Sequence, residues 1–222
     1  MFPKLLAPVS RHFREKRNRP LGEQIERLHA EKNGLVEILD IGGSLVFWLS
    51  IPEAIRAKAS ISLINLPDAY QADLTDEERD VAGAVRRLVG DARDLSVYGD
   101  GAFDLVVCNS VIEHVGDWAD MKKAAAEARR VGKHGWIQVP AFEFPIDQHF
   151  LLPFLHWLSY PAQVGVLNIV GNRFFKTLPL DEQFALLEHM RPITRQQFAR
   201  LFPNEDIATE RLIAPKSHIA SW

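Results

Sequence analysis

The chain has 222 residues, of which 47% are hydrophobic and 25% are charged, with 13 glycines and 13 prolines. This composition is that of an ordinary globular protein, and it excludes a disordered, collagen-like or disulfide-stapled chain. The formal net charge of -3 argues against a nucleic-acid partner, because such a protein needs an excess of basic residues to neutralise phosphates. The length favours a single domain over residues 1–222.

The N-terminus and the single cysteine bear on the cellular compartment. Residues 1–33 are expected to form a helical extension, whose short apolar start is followed by arginine and lysine in place of a small-residue cleavage site. Cys108 lies within an apolar run, and one cysteine excludes both an internal disulfide and a cysteine-based zinc site. We therefore predict a cytoplasmic protein without a signal peptide.

Five short apolar runs, separated by helical patterns, predict a parallel sheet. In chain order they are Leu35–Asp40, Ile61–Leu66, Val85–Gly90, Phe103–Asn109 and Gly135–Pro140. The clearest helix between them spans Asp117 to Val131 and is rich in alanine, the strongest helix former. Parallel strands need crossover connections, so this alternation predicts a sheet that is covered by helices on both faces.

The C-terminal part follows a different pattern. A helix over Thr194 to Phe202 precedes two strand-like runs, Ile207–Ile213 and Lys216–Trp222, which are joined by a short turn. A connection this short forces an antiparallel pair. The sequence thus predicts a mostly parallel sheet that ends in an antiparallel hairpin.

Residues 141–193 are predicted to form an insertion after the fifth strand. Between Phe150 and Asn172 there is no Asp, Glu, Lys or Arg, which would suit a membrane span in length. Pro153 and Pro161 interrupt the run, and a lipid-spanning helix would then leave backbone groups unsatisfied. We expect a mostly helical apolar cap that receives a substrate, with contact between residues 150–172 and a lipid or membrane surface as the alternative.

In an open parallel sheet, ligands bind outside the carboxyl ends of the strands. Each of the first four predicted strands ends in or is followed by a polar residue or glycine. The residues at these four strand ends are the candidate ligand-binding residues: Asp40, Gly42, Gly43, Asn65, Leu66, Asp91, Ala92, Asn109 and Ser110. Glycine lets the backbone approach a ligand closely. The segment after Gly42 does not supply the G-x-G-x-x-G phosphate fingerprint, so a ligand with ribose and adenine but no pyrophosphate fits better than a dinucleotide.

The motifs Ile38–Gly43, Gly90–Leu95, Asp100–Val115 and Glu127–Trp136 resemble those of the class I S-adenosylmethionine-dependent methyltransferases, in the group called type 11. The resemblance covers about Gly34 to Pro140 and, through the hairpin, about Thr194 to Trp222. It implies an α/β, Rossmann-like, doubly wound sheet of seven strands, mostly parallel with an antiparallel last strand. It also implies S-adenosyl-L-methionine as the cofactor.

The resemblance assigns roles to the candidate residues. Asp40, Gly42 and Gly43 would lie beside the methionine part of the cofactor, and Asn65, with Leu66 next to it, would face the ribose. Asp91 would accept from the adenine amine, the Ala92 backbone would contact the ring, and Asn109 and Ser110 would border the methyl group and the substrate. The chain departs from the family pattern in two ways: Ser44 and Val46 stand where a further glycine is usual, and Asn65 replaces an acid.

Methyl transfer needs a general base only when the acceptor must lose a proton. Asp147 together with His149 is the predicted base pair, with a structural role in seating the cap as the alternative. Glu113 and His114 are expected to open the next helix. No metal site is predicted, because nothing defines a ligand spacing.

These residues favour methyl transfer from S-adenosyl-L-methionine to a small-molecule acceptor, such as a sugar, a lipid-linked compound or a secondary metabolite. One alternative is a non-catalytic Rossmann-like binding or scaffold protein that has lost its cofactor. A second alternative is a nicotinamide-dependent oxidoreductase, which the missing phosphate fingerprint disfavours.

Overall fold

The structure is a computed structural model, which describes residues 7–69 and 74–222 and, within these, the side chains of all residues except 7–16 and 68. The predicted strands are all present; Phe103–Asn109 has the predicted ends, and the ends of the other strands differ by at most three residues. The strands are β1 (Val36–Ile41), β2 (Ala59–Asn65), β3 (Val85–Val89), β4 (Phe103–Asn109), β5 (Gly132–Pro140), β6 (Asp206–Arg211) and β7 (Pro215–Ser221). They form a seven-stranded sheet in the order β3-β2-β1-β4-β5-β7-β6.

Nine α-helices connect the described strands. They are α1 (Ala7–Lys32), α2 (Leu45–Leu49), α3 (Glu53–Arg56), α4 (Asp76–Ala84), α5 (Trp118–Val131), α6 (Tyr160–Val170), α7 (Arg173–Thr177), α8 (Leu180–His189) and α9 (Arg195–Leu201). β1 pairs in parallel with both β2 and β4, and β2 pairs in parallel with β3. β6 and β7 pair antiparallel. The predicted fold class is confirmed, and the insertion after β5 is mostly helical.

The chain divides into two compact units. The first contains the residues up to Asn109, together with Ala126–Ile137 and Trp222, and the second contains Ser110–Ala125 and Gln138–Ser221. The single domain expected over residues 1–222 stays a prediction.

The core of the first unit lies around the strands that the sequence indicated most clearly. Ile38, Leu39 and Val106 are fully buried in β1 and β4, as is Trp48 in α2. Uninterrupted apolar runs of this kind are typical of parallel strands that are buried on both faces. The two strands are neighbours in the sheet, and Asp40 pairs in register with Val107. The carboxyl ends of β1 and β4 therefore lie side by side.

Local capping explains where several helices begin. Ser44, one of the departures from the family pattern, is the N-cap of α2, and its hydroxyl accepts from the Phe47 amide. Thr75 and Glu78 form a capping box at the start of α4, as Thr194 and Gln197 do at the start of α9. The serine thus supplies a helix start at a position where the family usually has glycine.

The second unit has its own small core under the uncharged segment. Leu155, Val164, Leu167, Phe175 and Leu187 are buried against one another. None of the helices in the described residues is long and apolar enough to cross a membrane.

Candidate functional site

The carboxyl end of β1 leads into a tight turn in the first unit. Gly42 has a φ of 68°, in the left-handed region that favours glycine. A Cβ on Gly43 would lie 2.1 Å from Oδ2 of Asp40, so this residue must be glycine for the turn to pack on the carboxyl group. Of the two glycines predicted to lie at the cofactor, Gly42 is thus required by its backbone conformation and Gly43 by the packing of the Asp40 side chain.

Asp40 is buried and only half satisfied. Its Oδ2 accepts from Trp48 Nε1 at 2.8 Å, whereas its Oδ1 is buried without a hydrogen-bond partner among the described residues. Burial raises the pKa of Asp40 to about 8, against the lowering effect of the Trp48 hydrogen bond. An unpaired buried acceptor has a cost of about 1 to 3 kcal/mol, and a ligand donor would remove that cost.

The ends of β2 and β3 carry the next predicted residues. Asn65 donates from Nδ2 to the Gly43 carbonyl at 3.0 Å and so ties β2 to the turn after β1. Leu66 is exposed. Asp91 accepts from the guanidinium of Arg93, with the closest contact at 2.6 Å. That hydrogen bond, acting against burial, lowers the pKa of Asp91 and keeps it ionised. Ala92 follows it, half-buried.

The end of β4 shows two further signs of a site. Asn109 has a buried Oδ1 without a hydrogen-bond partner among the described residues. Ser110 has a φ of 55°, which a residue other than glycine rarely adopts, and its hydroxyl donates to Gln138 Oε1 at 2.9 Å. Backbone strain and unpaired buried acceptors both concentrate at functional sites.

The predicted base pair has a different geometry from the one expected. Asp147 does not contact the imidazole of His149: its Oδ1 accepts from the backbone amides of His149 and Phe150, at 2.9 and 2.8 Å. Its Oδ2 lies 3.4 Å from Nδ1 of His156, and both side chains are buried. Burial raises the pKa of Asp147, but His156 and the two amides outweigh burial, so the pKa is lowered.

His149 pairs instead with His114. Their Nε2 atoms are 3.2 Å apart, and His114 Nδ1 donates to the His189 carbonyl. A neutral His114 then has its lone pair at Nε2 and accepts from His149, which leaves the lone pair of His149 at Nδ1. That Nδ1 is buried without a partner among the described residues. Burial, and next the charge of His114, lower the pKa of His149, so His149 is a neutral base at pH 7.

Glu113 was expected only to open a helix, and it lies in a short 3-10 turn, Ile112–His114. Its side chain is fully buried, and both carboxyl oxygens lack a hydrogen-bond partner among the described residues. Burial raises the pKa of Glu113 to about 8. Within the described residues, no group of three His, Cys, Asp or Glu side chains is arranged to hold a metal ion.

The second unit also contains a cavity of about 720 Å³, within the range typical of small-molecule sites. Asp147, His156 and Arg191 line it. The other lining residues are uncharged, and most of them are aromatic or apolar: Phe142, Phe150, Trp157, Leu158, Ser159, Tyr160, Pro161, Gln163, Leu187, Met190, Pro192, Thr194 and Gln197. The aromatic lining residues Phe142, Phe150, Trp157 and Tyr160 follow the fifth strand, where the sequence predicts a pocket wall. Arg191 and Gln197 were not singled out from the sequence, because no local pattern marks them.

Comparison with known proteins gives one match by sequence. A family model described as a methyltransferase domain matches residues 53–137. No curated protein sequence matches the chain.

Solved structures give matches by fold. An O-methyltransferase family protein from Burkholderia thailandensis matches with a TM-score of 0.51 at 11% identity, over 96% of this chain and 58% of that one. Magnesium protoporphyrin IX methyltransferase from Synechocystis, solved with bound SAH, matches with a TM-score of 0.53 at 12% identity, over 92% and 82%. A Rhodobacter sphaeroides protein named for a proposed zinc-dependent alcohol dehydrogenase activity matches with a TM-score of 0.51 at 13% identity, over 85% and 84%.

At these identities the structural likeness shows the fold alone. The chain spans 58% and 60% of the length of the first two structures it matches. The family-model match and the strand order agree with each other on the class of fold.

Proposed function

We propose that the chain belongs to the class I S-adenosylmethionine-dependent methyltransferases, and that the protein binds S-adenosyl-L-methionine and transfers its methyl group to a small-molecule acceptor. The observation that carries the proposal is the carboxyl edge of the sheet in the first unit. There Asp40 and Asn109 each present a buried acceptor atom without a partner among the described residues, next to the glycine turn.

The residues present suit this cofactor. Asn109 Oδ1 can accept from amine or hydroxyl donors, and the protonated carboxyl group of Asp40 can donate from Oδ1 or accept there. The ionised carboxylate of Asp91, which Arg93 also contacts, would accept from an exocyclic amine. Leu66 and Val89 are exposed apolar residues at the ends of β2 and β3, where an aromatic ring would cover them. When bound, the cofactor supplies an electrophilic methyl group on a sulfonium.

The protein's part in such a reaction is to hold two reactants in line, which can contribute about 7 to 11 kcal/mol to lowering the barrier. We assign the base, where the acceptor must lose a proton, to His149, because it is neutral and its Nδ1 lone pair has no partner among the described residues. Asp147 then has a positioning role, since its Oδ1 holds the backbone amide of His149.

Calorimetry with S-adenosylhomocysteine tests the cofactor assignment. We expect the wild-type protein to bind and Gly42→Val to lose binding, because a branched residue at a φ of 68° distorts the turn on which the cofactor would lie. Gly83→Ala is the matched control, because a Cβ at Gly83 meets no atom within 4 Å. Circular dichroism checks that each variant is folded.

Two alternatives give different results in the same experiment. A non-catalytic scaffold protein would not bind S-adenosylhomocysteine, and the short helix α2, with Trp48 held on Asp40, is the feature that favours this alternative. A nicotinamide enzyme would bind NADH instead, which the fluorescence of NADH reports on titration.

We also propose that the protein is cytoplasmic and touches a lipid surface through residues 150–172 and the turn that follows them. Ile169, Val170 and Phe174 are exposed apolar residues around the turn from α6 to α7, with Arg173 beside them and exposed. Exposed apolar groups with basic neighbours favour anionic lipid headgroups. In vesicle flotation, Val170→Glu should reduce binding to anionic vesicles, whereas the control Ile213→Glu, in the exposed turn between β6 and β7, should not.

A further inference from the structure

The cavity of the second unit constrains the chemistry of the methyl acceptor. We propose that it binds a planar aromatic compound that carries one anionic group, rather than a sugar. This inference rests on the proposed function, because it names the class of compound that accepts the methyl group.

The walls of the cavity favour a flat ring. Phe142, Phe150, Trp157 and Tyr160 line it, and Phe142 meets the ring of His156 edge to face, with centroids 5.3 Å apart. Aromatic side chains in such arrangements offer faces and edges to a further ring. The carbonyl of Phe142 accepts from both His156 Nε2 and Trp157 Nε1, each at 2.9 Å, so that these two rings are held in place.

The charges of the cavity favour an anion. Three side chains that can carry a charge near neutral pH line it: Asp147, His156 and Arg191. His156 Nε2 donates to the Phe142 carbonyl, and Nδ1 lies 3.4 Å from Oδ2 of Asp147. A proton on both ring nitrogens suits this arrangement, so Asp147 and His156 form an ion pair. Arg191 is exposed and has no ion-pair partner among the described residues. The cavity therefore carries one unneutralised positive charge.

The polar groups of the cavity argue against a sugar. Gln163 donates to the Leu158 carbonyl at 2.8 Å, and Thr194 and Gln197 are bonded to each other in the capping box of α9. The Tyr160 hydroxyl is buried without a partner among the described residues. A sugar would bury several hydroxyls against so few free groups, and each hydroxyl that is left unpaired weakens binding. A ring with one anionic group needs only Tyr160 and Arg191.

Calorimetry with three probes tests each part of the proposal. The probes are 4-hydroxybenzoate, its neutral analogue 4-hydroxybenzyl alcohol, and glucuronate, which carries the same charge on a sugar. We expect 4-hydroxybenzoate to bind about tenfold or more tightly than either of the others, because a hydrogen bond to a charged group contributes about 1.5 to 3 kcal/mol. Equal affinity of the two aromatic probes, tighter binding of glucuronate, or no binding of 4-hydroxybenzoate at millimolar concentration would overturn the proposal.

Two variants assign the effect to residues. Arg191→Gln should abolish the preference for 4-hydroxybenzoate over the alcohol, whereas the control Arg200→Gln, on an exposed position of α9 outside the cavity, should keep it. Tyr160→Phe keeps the ring and should weaken both aromatic probes by about two- to tenfold. An equal effect of the two arginine variants would assign the preference to general surface charge and contradict the inference.

Failure of the cavity assignment and failure of the proposed function are separable. S-adenosylhomocysteine is titrated into the same protein without any acceptor probe. Loss of its binding overturns methyl transfer and leaves the cavity's preference standing, whereas normal binding with the wrong probe order overturns only the acceptor class.

Discussion

Two carboxyl groups on neighbouring strands of the first unit have opposite surroundings. Asp104, at the start of β4, receives Lys32 Nζ at 2.5 Å, Lys133 Nζ at 2.8 Å and the Glu37 amide at 3.0 Å. Asp40, near the end of β1, receives only Trp48. Burial raises the pKa of both, but the three donors lower that of Asp104 to about 2, whereas the pKa of Asp40 rises to about 8.

The difference separates an edge of the sheet that maintains the fold from an edge that is available to a ligand. At the amino ends of β1 and β4, every oxygen of Asp104 has a donor, and the lysines come from α1 and β5. At the carboxyl ends, Asp40 and Asn109 are left with unpaired acceptors. Buried polar groups are normally paired, so the unpaired ones mark the side at which we place the cofactor.

The largest expected effect is on the pH dependence of stability at Asp40. Its folded-state pKa of about 8 lies above its ordinary value of 3.8, so the folded protein retains a proton that the unfolded chain releases between these two values. Stability from this group therefore falls as the pH rises from about 4 to about 8, by about 1.4 kcal/mol for each pH unit.

Asp40→Asn removes this titration, so the stability of the variant relative to wild type should improve by about 4 kcal/mol between pH 5 and pH 8. Urea unfolding at both pH values measures the difference in stability between the variant and the wild type. The contributions of the other titrating groups cancel in this difference. A difference that does not change with pH would show that Asp40 is ionised in the folded protein.

Gly43→Ala tests how rigidly that carboxyl group is held. The new Cβ would lie 2.1 Å from Oδ2 and 3.0 Å from Cβ of Asp40, and Trp48 holds the carboxyl group in place. We expect the free energy of unfolding to fall by about 3 kcal/mol, as for other overpacked sites. Gly83→Ala should instead raise it by about 0.5 to 1 kcal/mol. If both variants were stabilised, the Asp40 side chain would have to be mobile.

Asp104→Asn tests the opposite edge. We expect a loss of about 2 kcal/mol, less than for a fully buried pair, because Lys32 and Lys133 are partly exposed and can be hydrated again. Asp100→Asn is the control, since that carboxylate is 84% exposed and should matter little.

The contribution of Asp104 also has a defined pH range. Its pKa is depressed to about 2, so its stabilisation is complete above the ordinary value of 3.8 and is lost as the pH falls through about 2. The stability difference between wild type and Asp104→Asn should therefore shrink over that range in acid unfolding. A constant difference would mean that the lysine contacts do not depend on the charge.

The smallest effect is expected at Asp91. Its carboxylate is one-third exposed and already shared with Arg93, so Asp91→Ala should weaken S-adenosylhomocysteine binding only about fivefold. Arg93→Gln leaves the carboxylate in place and should have a smaller effect in calorimetry. Unchanged affinity of Asp91→Ala would remove adenine recognition from this residue.

Much of the carboxyl edge could be predicted because its signals are local in the chain. An apolar run that ends in Asp40, Gly42 and Gly43 specifies a strand and its turn within a few residues, and the alternation of strands with helices indicates a parallel sheet. The start of α9 at Thr194 was likewise readable, since a capping box lies within four residues. The predicted roles of these residues in cofactor binding stay predictions.

The pairing of the titratable side chains could not be predicted in the same way. Asp147 and His149 are two residues apart, and their closeness suggested a base pair. Instead, Oδ1 of Asp147 accepts hydrogen bonds from two backbone amides of the following turn, and its other oxygen lies next to His156. His149 meets His114, 35 residues earlier. Contacts between distant segments depend on how those segments pack. A short sequence pattern contains no information about that packing.

The sequence by itself determined the class of fold, the strands and the turn of glycines, because hydrophobic periodicity and backbone preferences act over a few residues. The tertiary structure alone decided which of the buried polar groups have partners. Trp48 reaches Asp40 only once α2 packs back on β1, and the lysines reach Asp104 only once α1 and β5 are in place. Protonation follows from desolvation and from nearby charges, and both are fixed by the folded neighbours and not by the order of residues along the chain.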